Sequence, residues 1–147
     1  MRSNEGSSLA EFGPALGILL LSVFFPLLDM IMLGFSYCQC MTLNSLQLQK
    51  AAELPTAAAQ APNGPVLQAL PDAWQHTGLG AFVKLTEPPT TAVAYQDARG
   101  SDRYVIVSTT FSVSPFLNIP IIPGIPALSA PATFTISGKR VVEDPTS

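Results

Sequence analysis

The stretch that decides the fold is FGPALGILLLSVFFPLL, residues 12–28, with Glu11 immediately before it and Asp29 immediately after it. None of its 17 residues is charged. As a helix it extends roughly 26 Å, close to the ~30 Å hydrocarbon thickness of a bilayer, so it is read as able to span a membrane. The apolar character persists through MIMLGFSY, residues 30–37, and then turns amphipathic, with Met41, Leu43, Leu46 and Leu48 set among Gln39, Thr42, Asn44, Ser45, Gln47 and Gln49. One helix over residues 12–49 would reach roughly 57 Å, nearly twice the apolar thickness. Half of it must therefore stand in water or pack on something.

The composition of the whole 147-residue chain agrees with a buried or lipid-facing apolar element, because only 12% of its residues are charged where soluble domains carry about a quarter. Seven Lys and Arg stand against ten Asp and Glu, and the basic residues are scattered, only Lys139 and Arg140 being adjacent. That distribution offers no footprint for a phosphate backbone, and nucleic acid is not expected as a partner. One His and the pair Cys38 and Cys40 fall short of the three or four ligands a metal centre needs, so neither metal nor cofactor is expected. On a helix the two thiols point about 200° apart and cannot easily bond each other, and they are read as buried apolar residues. Asp72, Trp74 and His76 lack a nucleophile elbow and an oxyanion loop around them. No catalytic residue is assigned, and the chain is not expected to be an enzyme.

A secretory signal peptide is the rival reading of Arg2 followed by an apolar run, but no small-x-small site ends the run, Asp29 interrupts it, and Tyr37 precedes Cys38 where a lipoprotein signal needs a small residue. Arg2 lies on one side of the span and the next basic residue is Lys50, which places the N-terminus in the cytoplasm and residues 51–147 outside. Pro14 and Pro26 each delete an intrahelical hydrogen bond and are expected to kink the helix. Gly13, Gly17 and Gly34 offer places where another helix could approach closely. Glu11 and Asp29 are 18 residues apart, five turns of a regular α-helix, which puts them on one face about 27 Å apart, at opposite membrane boundaries.

Beyond the helix, residues 51–78 shift to Ala, Pro, Gln and Gly and read as a linker with a short helix near 66–74. The period then changes to two. Ala81, Val83 and Leu85 alternate with Phe82, Lys84 and Thr86, residues 92–95 form a second short apolar piece, and residues 104–114 place Val105, Val107, Thr109, Phe111 and Val113 on one face. A last strand runs over 132–142. Five prolines between 115 and 131 forbid a central strand there, and Phe116, Ile119, Ile121, Ile122 and Ile125 are too apolar for a solvated loop, so this crossover is expected as a lid on the sheet. The expected fold is α+β: a helix over 7–50, membrane-embedded in its first half, a linker over 51–78, and over 79–147 a small extracytoplasmic antiparallel sheet of about four strands with a Pro-rich crossover.

The first twelve residues, MRSNEG followed by SSLAEF, resemble a type IVb prepilin processing site. That resemblance implies a leader over 1–6 cut after Gly6 by a prepilin peptidase, a mature chain starting at Ser7, Glu11 as its fifth residue and the aromatic Phe12 as its sixth. More narrowly, the Leu-rich sequence after Glu11-Phe12, the acid Asp29 and the IPGIP run ahead of a final strand are similar to TadE-like pseudopilins of tight-adherence pilus systems. The resemblance implies an assembly role for Glu11, Phe12 and Asp29, with inner-membrane lipid and other pilin subunits as partners. In it, Glu11 pairs with the freed amine of Ser7 in a neighbouring subunit, where low dielectric strengthens the attraction. The alternative is an uncleaved, single-pass anchored periplasmic scaffold or binding protein of a secretion system.

Overall fold

The computed structural model describes residues 5–97, 103–117 and 129–142, with side chains from residue 12 onward. A single helical rod opens the chain: α1 over Glu5–Leu19, a π turn over Leu20–Phe24 and α2 over Phe25–Glu53. At 1.5 Å per residue the rod is about 70 Å long. Pro26 explains its interruption. Proline has no N–H for the Ser22 carbonyl and its ring crowds that turn. The ladder widens just ahead of it, with the Phe25 N–H donating to the Leu20 carbonyl instead. Pro14, by contrast, lies inside α1, which runs past it as α-helix.

The residues expected as a linker over 51–78 are instead a folded part of the domain. Ala51 and Ala52 still belong to α2, and three short helices follow, α3 (Thr56–Ala59), α4 (Leu70–Gln75, entered through a π turn over Pro65–Ala69) and α5 (Gly78–Phe82). Ala59, Val66 and Trp74 from this stretch are buried. Its alanines and prolines are small or pre-bent enough to pack closely against α2, which composition alone reads as looseness. Thr77 joins the last two helices: its hydroxyl donates to the Trp74 carbonyl (2.6 Å) and accepts from the Gly80 N–H (3.1 Å). Gly80 has to be glycine there, since a Cβ would run into the Trp74 carbonyl.

Among the described residues three strands follow rather than the four expected: β1 (Thr90–Asp97), β2 (Arg103–Val113) and β3 (Ala132–Val141), antiparallel in the order β1-β2-β3. The missing strand is residues 81–86. Its first residues complete α5, and Leu85 makes only a single bridge to Val113, flanked by hydrogen bonds from the Thr86 N–H to the Ser112 carbonyl and from the Ser114 N–H to the Lys84 carbonyl (both 2.8 Å). Pro88 and Pro89, without N–H groups to pair, separate that bridge from β1 along the same edge of β2.

The alternation in β2 is resolved as expected, with Val105, Val107, Thr109, Phe111 and Val113 all buried. Register places Phe134 opposite Phe111, Ile136 opposite Thr109, and Val93 opposite Val107 on the same inner face. The outer face is polar and self-satisfied, with hydroxyl pairs Ser108 to Ser137 and Thr110 to Thr135, each at 2.8 Å. α2 lies across the inner face and divides the core in two. Near the start of the domain Cys40 and Leu43 pack with Trp74, Phe111, Val113 and Ile136. Farther along, Ala51 and Ala52 pack with Ala59, Val66, Val105, Val107 and Val142. Of the expected lid, Phe116 is described and half-exposed, while residues 119–125 lie outside the described residues.

Phe111 is fully buried and 5.9 Å from the Phe134 ring. Phe111→Ala is expected to destabilise the domain by about 3–5 kcal/mol, read by chemical denaturation of the full chain in detergent; parent-like stability would mean that the ring lies outside the core.

Candidate functional site

The unusual chemistry of the chain lies along one helix, and its burial changes abruptly at Asp29. From Phe12 to Leu28 every side chain is exposed or half-buried, including Phe12 at 63% and Ile18 at 68%. From Asp29 onward a buried stripe begins: Asp29, Ser36, Cys40, Leu43, Asn44, Gln47 and Ala51, with Leu33 partly buried among them. These are helical steps of three and four, one face of α2 turned to the sheet. The opposite face leaves Met30, Ile31, Met41 and Leu46 exposed.

The stripe is held by side chains that the hydrophobic pattern does not single out. The Asn44 amide shares its two hydrogens among the Val107 carbonyl, the Ile136 carbonyl and the Thr109 hydroxyl, all at 3.2 Å. Gln47 donates to the Val66 carbonyl and the Thr91 hydroxyl and accepts from the Thr109 hydroxyl, each at 2.8 Å. Asn44, Gln47 and Thr109 are all buried, so each bond forms away from competing water and each lost partner is costly. Gly138 makes room for this approach, since a Cβ there would lie 2.7 Å from Leu48 Cδ2 and 3.2 Å from Asn44 Oδ1. The available signal was positional. Asn44 and Gln47 fall on the same turn sequence as Cys40 and Ala51, and Thr109 interrupts an otherwise apolar inward row.

Asp29 is enclosed by the domain: it is 1% exposed, and its Oδ1 accepts a 2.7 Å hydrogen bond from the Leu117 N–H. Oδ2 is buried and has no partner among the described residues. Asp29 thereby ties the chain after β2 to the helix. The cleft beside it, lined by Met32, Ser36, Phe82, Lys84 and Phe116 among others, has about 10 Å³ of free volume, room for at most one water. It is a seam, not a ligand pocket. The count of five regular turns between positions 11 and 29 assumes uninterrupted α-helix, and a π turn over Leu20–Phe24 lies between them.

The remaining sequence-predicted residues are not gathered into a site with Asp29. Gly6 and Ser7 lie in the first turns of α1, and Glu11 follows in the same helix; their side chains lie outside the described residues. Cys38 is exposed and Cys40 buried, both as free thiols. Trp74 is a core residue, and His76 Nδ1 donates to the Asp72 carbonyl at 2.7 Å in a helix-terminal turn. Among the described residues no three of His, Cys, Asp and Glu come close enough to hold a metal ion.

A broader apolar groove flanks α2 on the other side of the seam. Met30, Leu33, Gly34, Tyr37 and Phe134 line about 380 Å³, and the space above Gly34 is open. What this arrangement can do is present an apolar rod and an apolar groove open above one glycine, a place where another helix could approach closely. No protein-family profile, curated protein or solved structure matches this chain.

Two expectations follow from the seam. Asn44→Leu, which removes the shared donor, is expected to lower stability by about 1–3 kcal/mol for each acceptor left unpaired, measured by urea unfolding. At position 29, Asn retains an oxygen for the Leu117 amide and Leu does not. Hydrogen exchange at Leu117 should accelerate by about tenfold or more in Asp29→Leu and much less in Asp29→Asn; equal acceleration in both would show that the charge rather than the bond holds the segment.

Proposed function

We propose that this chain is a minor pilin or pseudopilin of a Tad-type, type IVb pilus, acting as a structural subunit held in the inner membrane by residues 12–28 with its sheet domain outside the cytoplasm. The observation that carries this reading is the division of one continuous helix. Its first half is apolar and exposed, and its second half is the core-facing support of an antiparallel sheet. The helix is long and apolar enough to cross a membrane, and only 6% of its most apolar window is buried. A soluble domain gains nothing from such a rod, whereas a subunit stored in a bilayer and then packed among other helices needs it. The groove around Gly34 supports the packing step, because a missing side chain lets a neighbouring backbone come close. The SSLAEF sequence after Gly6 supports processing by a prepilin peptidase.

One observation favours the second reading, an uncleaved anchored scaffold of a secretion system. The backbone at Gly6 and Ser7 is already helical, and a peptidase acting on extended chain would have to unwind that turn. The mass of the mature chain, with or without residues 1–6, separates the two readings.

For the pilin reading, Glu11→Gln is expected to leave expression, membrane insertion and cleavage after Gly6 intact while abolishing incorporation into pili. The neighbour's ammonium would lose its counter-charge within an apolar bundle, at roughly 3–5 kcal/mol. Gly6→Leu should give the same defect by keeping the Ser7 amine blocked. Normal piliation in both variants would leave the anchored scaffold as the surviving reading.

A further inference from the structure

At the level where the buried stripe begins, the underside of the sheet domain is apolar and aromatic rather than charged. Phe82, at the end of α5, makes an edge contact with Phe35 (5.5 Å between centroids) and stacks on Phe116 (6.2 Å). All three rings are more than a third exposed, and Leu79, one turn from Phe82, is 58% exposed. A soluble domain covers such a cluster or mixes it with charge. Among the described residues two ionisable ones stand beside it: Asp29, buried in the same cleft, and Lys84, whose Nζ lies 4.6 Å from the Phe116 ring and donates to the Phe116 carbonyl at 3.1 Å. Asp97, Arg103 and Lys139 belong to the other end of the sheet, where Arg103 faces Asp97 and Lys139 caps the Tyr104 ring.

We propose that this underside is a docking surface for the bilayer interface, with Leu79, Phe82 and Phe116 entering the boundary between headgroups and acyl chains and Lys84 directed to lipid phosphates. The proposal rests on the membrane-anchor reading above and adds that the domain lies on the membrane instead of standing clear of it on its helix. Position on the rod makes the assignment. Phe82, Lys84 and Phe116 line the same cleft as Asp29, the residue directly after the 17-residue apolar run. If that run fills the hydrocarbon core, Asp29 marks the inner edge of the headgroup region, ~5–8 Å thick in each leaflet. Phe82 and Phe116, which line the cleft with Asp29, start at that edge, and Phe35, about 9 Å farther along the helix, reaches its outer side. Exposed Phe and Leu beside a Lys whose ammonium lies over an aromatic ring match the composition of such surfaces. The rigid seam between α2 and the sheet leaves the domain no freedom to turn the cluster away.

The test uses the full chain reconstituted in vesicles of phosphatidylcholine and anionic phosphatidylglycerol, with the phosphatidylcholine brominated on acyl-chain carbons near the headgroup. Trp74 is the single native tryptophan and is buried, so it gives the background signal. Phe82→Trp, and independently Leu79→Trp, are expected to lose about half of their added emission to the bromines, as befits rings at the headgroup boundary. Val141→Trp, on the end of β3 beside the far core, should be unaffected. Leu21→Trp, in the middle of the span and read with bromines deeper in the chain, reports on the anchor itself. Quenching at 21 without quenching at 79 and 82 overturns the docking proposal and leaves the anchor reading standing. No quenching at 21 overturns both, and equal quenching at 141 means nonspecific adhesion and also overturns docking.

Discussion

The architecture depends on how Asn44 and Gln47 meet Thr109. Three buried polar side chains from a helix and the central strand satisfy one another and the carbonyls of Val107, Ile136 and Val66. Apolar contacts tolerate a helix that slides or rotates by a fraction of a turn, because burial is proportional to area and has no direction. Hydrogen bonds in a low-dielectric core do not, since a one-step rotation leaves several groups unpaired. Gly138 admits the helix to the required depth. The network therefore sets the rotation and height of the rod on the sheet.

That setting has a consequence at the lower end of the seam. With Asn44 and Gln47 facing the strands, the positions three and four residues back bring Cys40, Ser36, Leu33 and then Asp29 onto the same face. Asp29 is the last of them, and the Leu117 N–H meets it there. A buried carboxylate is costly unless it is hydrogen-bonded, and the Leu117 N–H satisfies one of its oxygens. The same residue thus ends the packed half of the helix and begins the free half. Around it Phe35, Phe82 and Phe116 on one side and Tyr37 and Phe134 on the other form aromatic contacts of 5.2–6.2 Å. The apolar surface is continuous from the rod to the underside of the domain.

The two prolines of the rod show why position matters more than residue type. Pro14 and Pro26 carry the same covalent defect, yet α-helix continues through the first and a π turn precedes the second. Only the ladder around each one decides how the lost donor is accommodated. Pro88 and Pro89 act differently again, dividing an edge so that Leu85 contributes one bridge instead of a strand. A period-two pattern at 81–86 reads as a strand because alternation is a local property. Whether it pairs depends on N–H groups and on neighbours elsewhere in the chain.

By itself the sequence determined the uncharged run over 12–28, the long helix through it, and the inward row from Val105 to Val113. These features arise from periodicity and hydropathy that each residue carries wherever it is placed. Tertiary structure alone decided that Asn44 and Gln47 face the core while Met41 and Leu46 face out. Polarity predicts the reverse, and only acceptors on β2, β3 and the 65–69 turn make the inversion favourable. It likewise decided that residues 51–78 pack instead of linking, that Asp29 is covered, and that a π turn interrupts the helix between positions 11 and 29. Each of those outcomes depends on a partner distant in the chain or on a shift in the backbone ladder, and neither is written in the residues themselves.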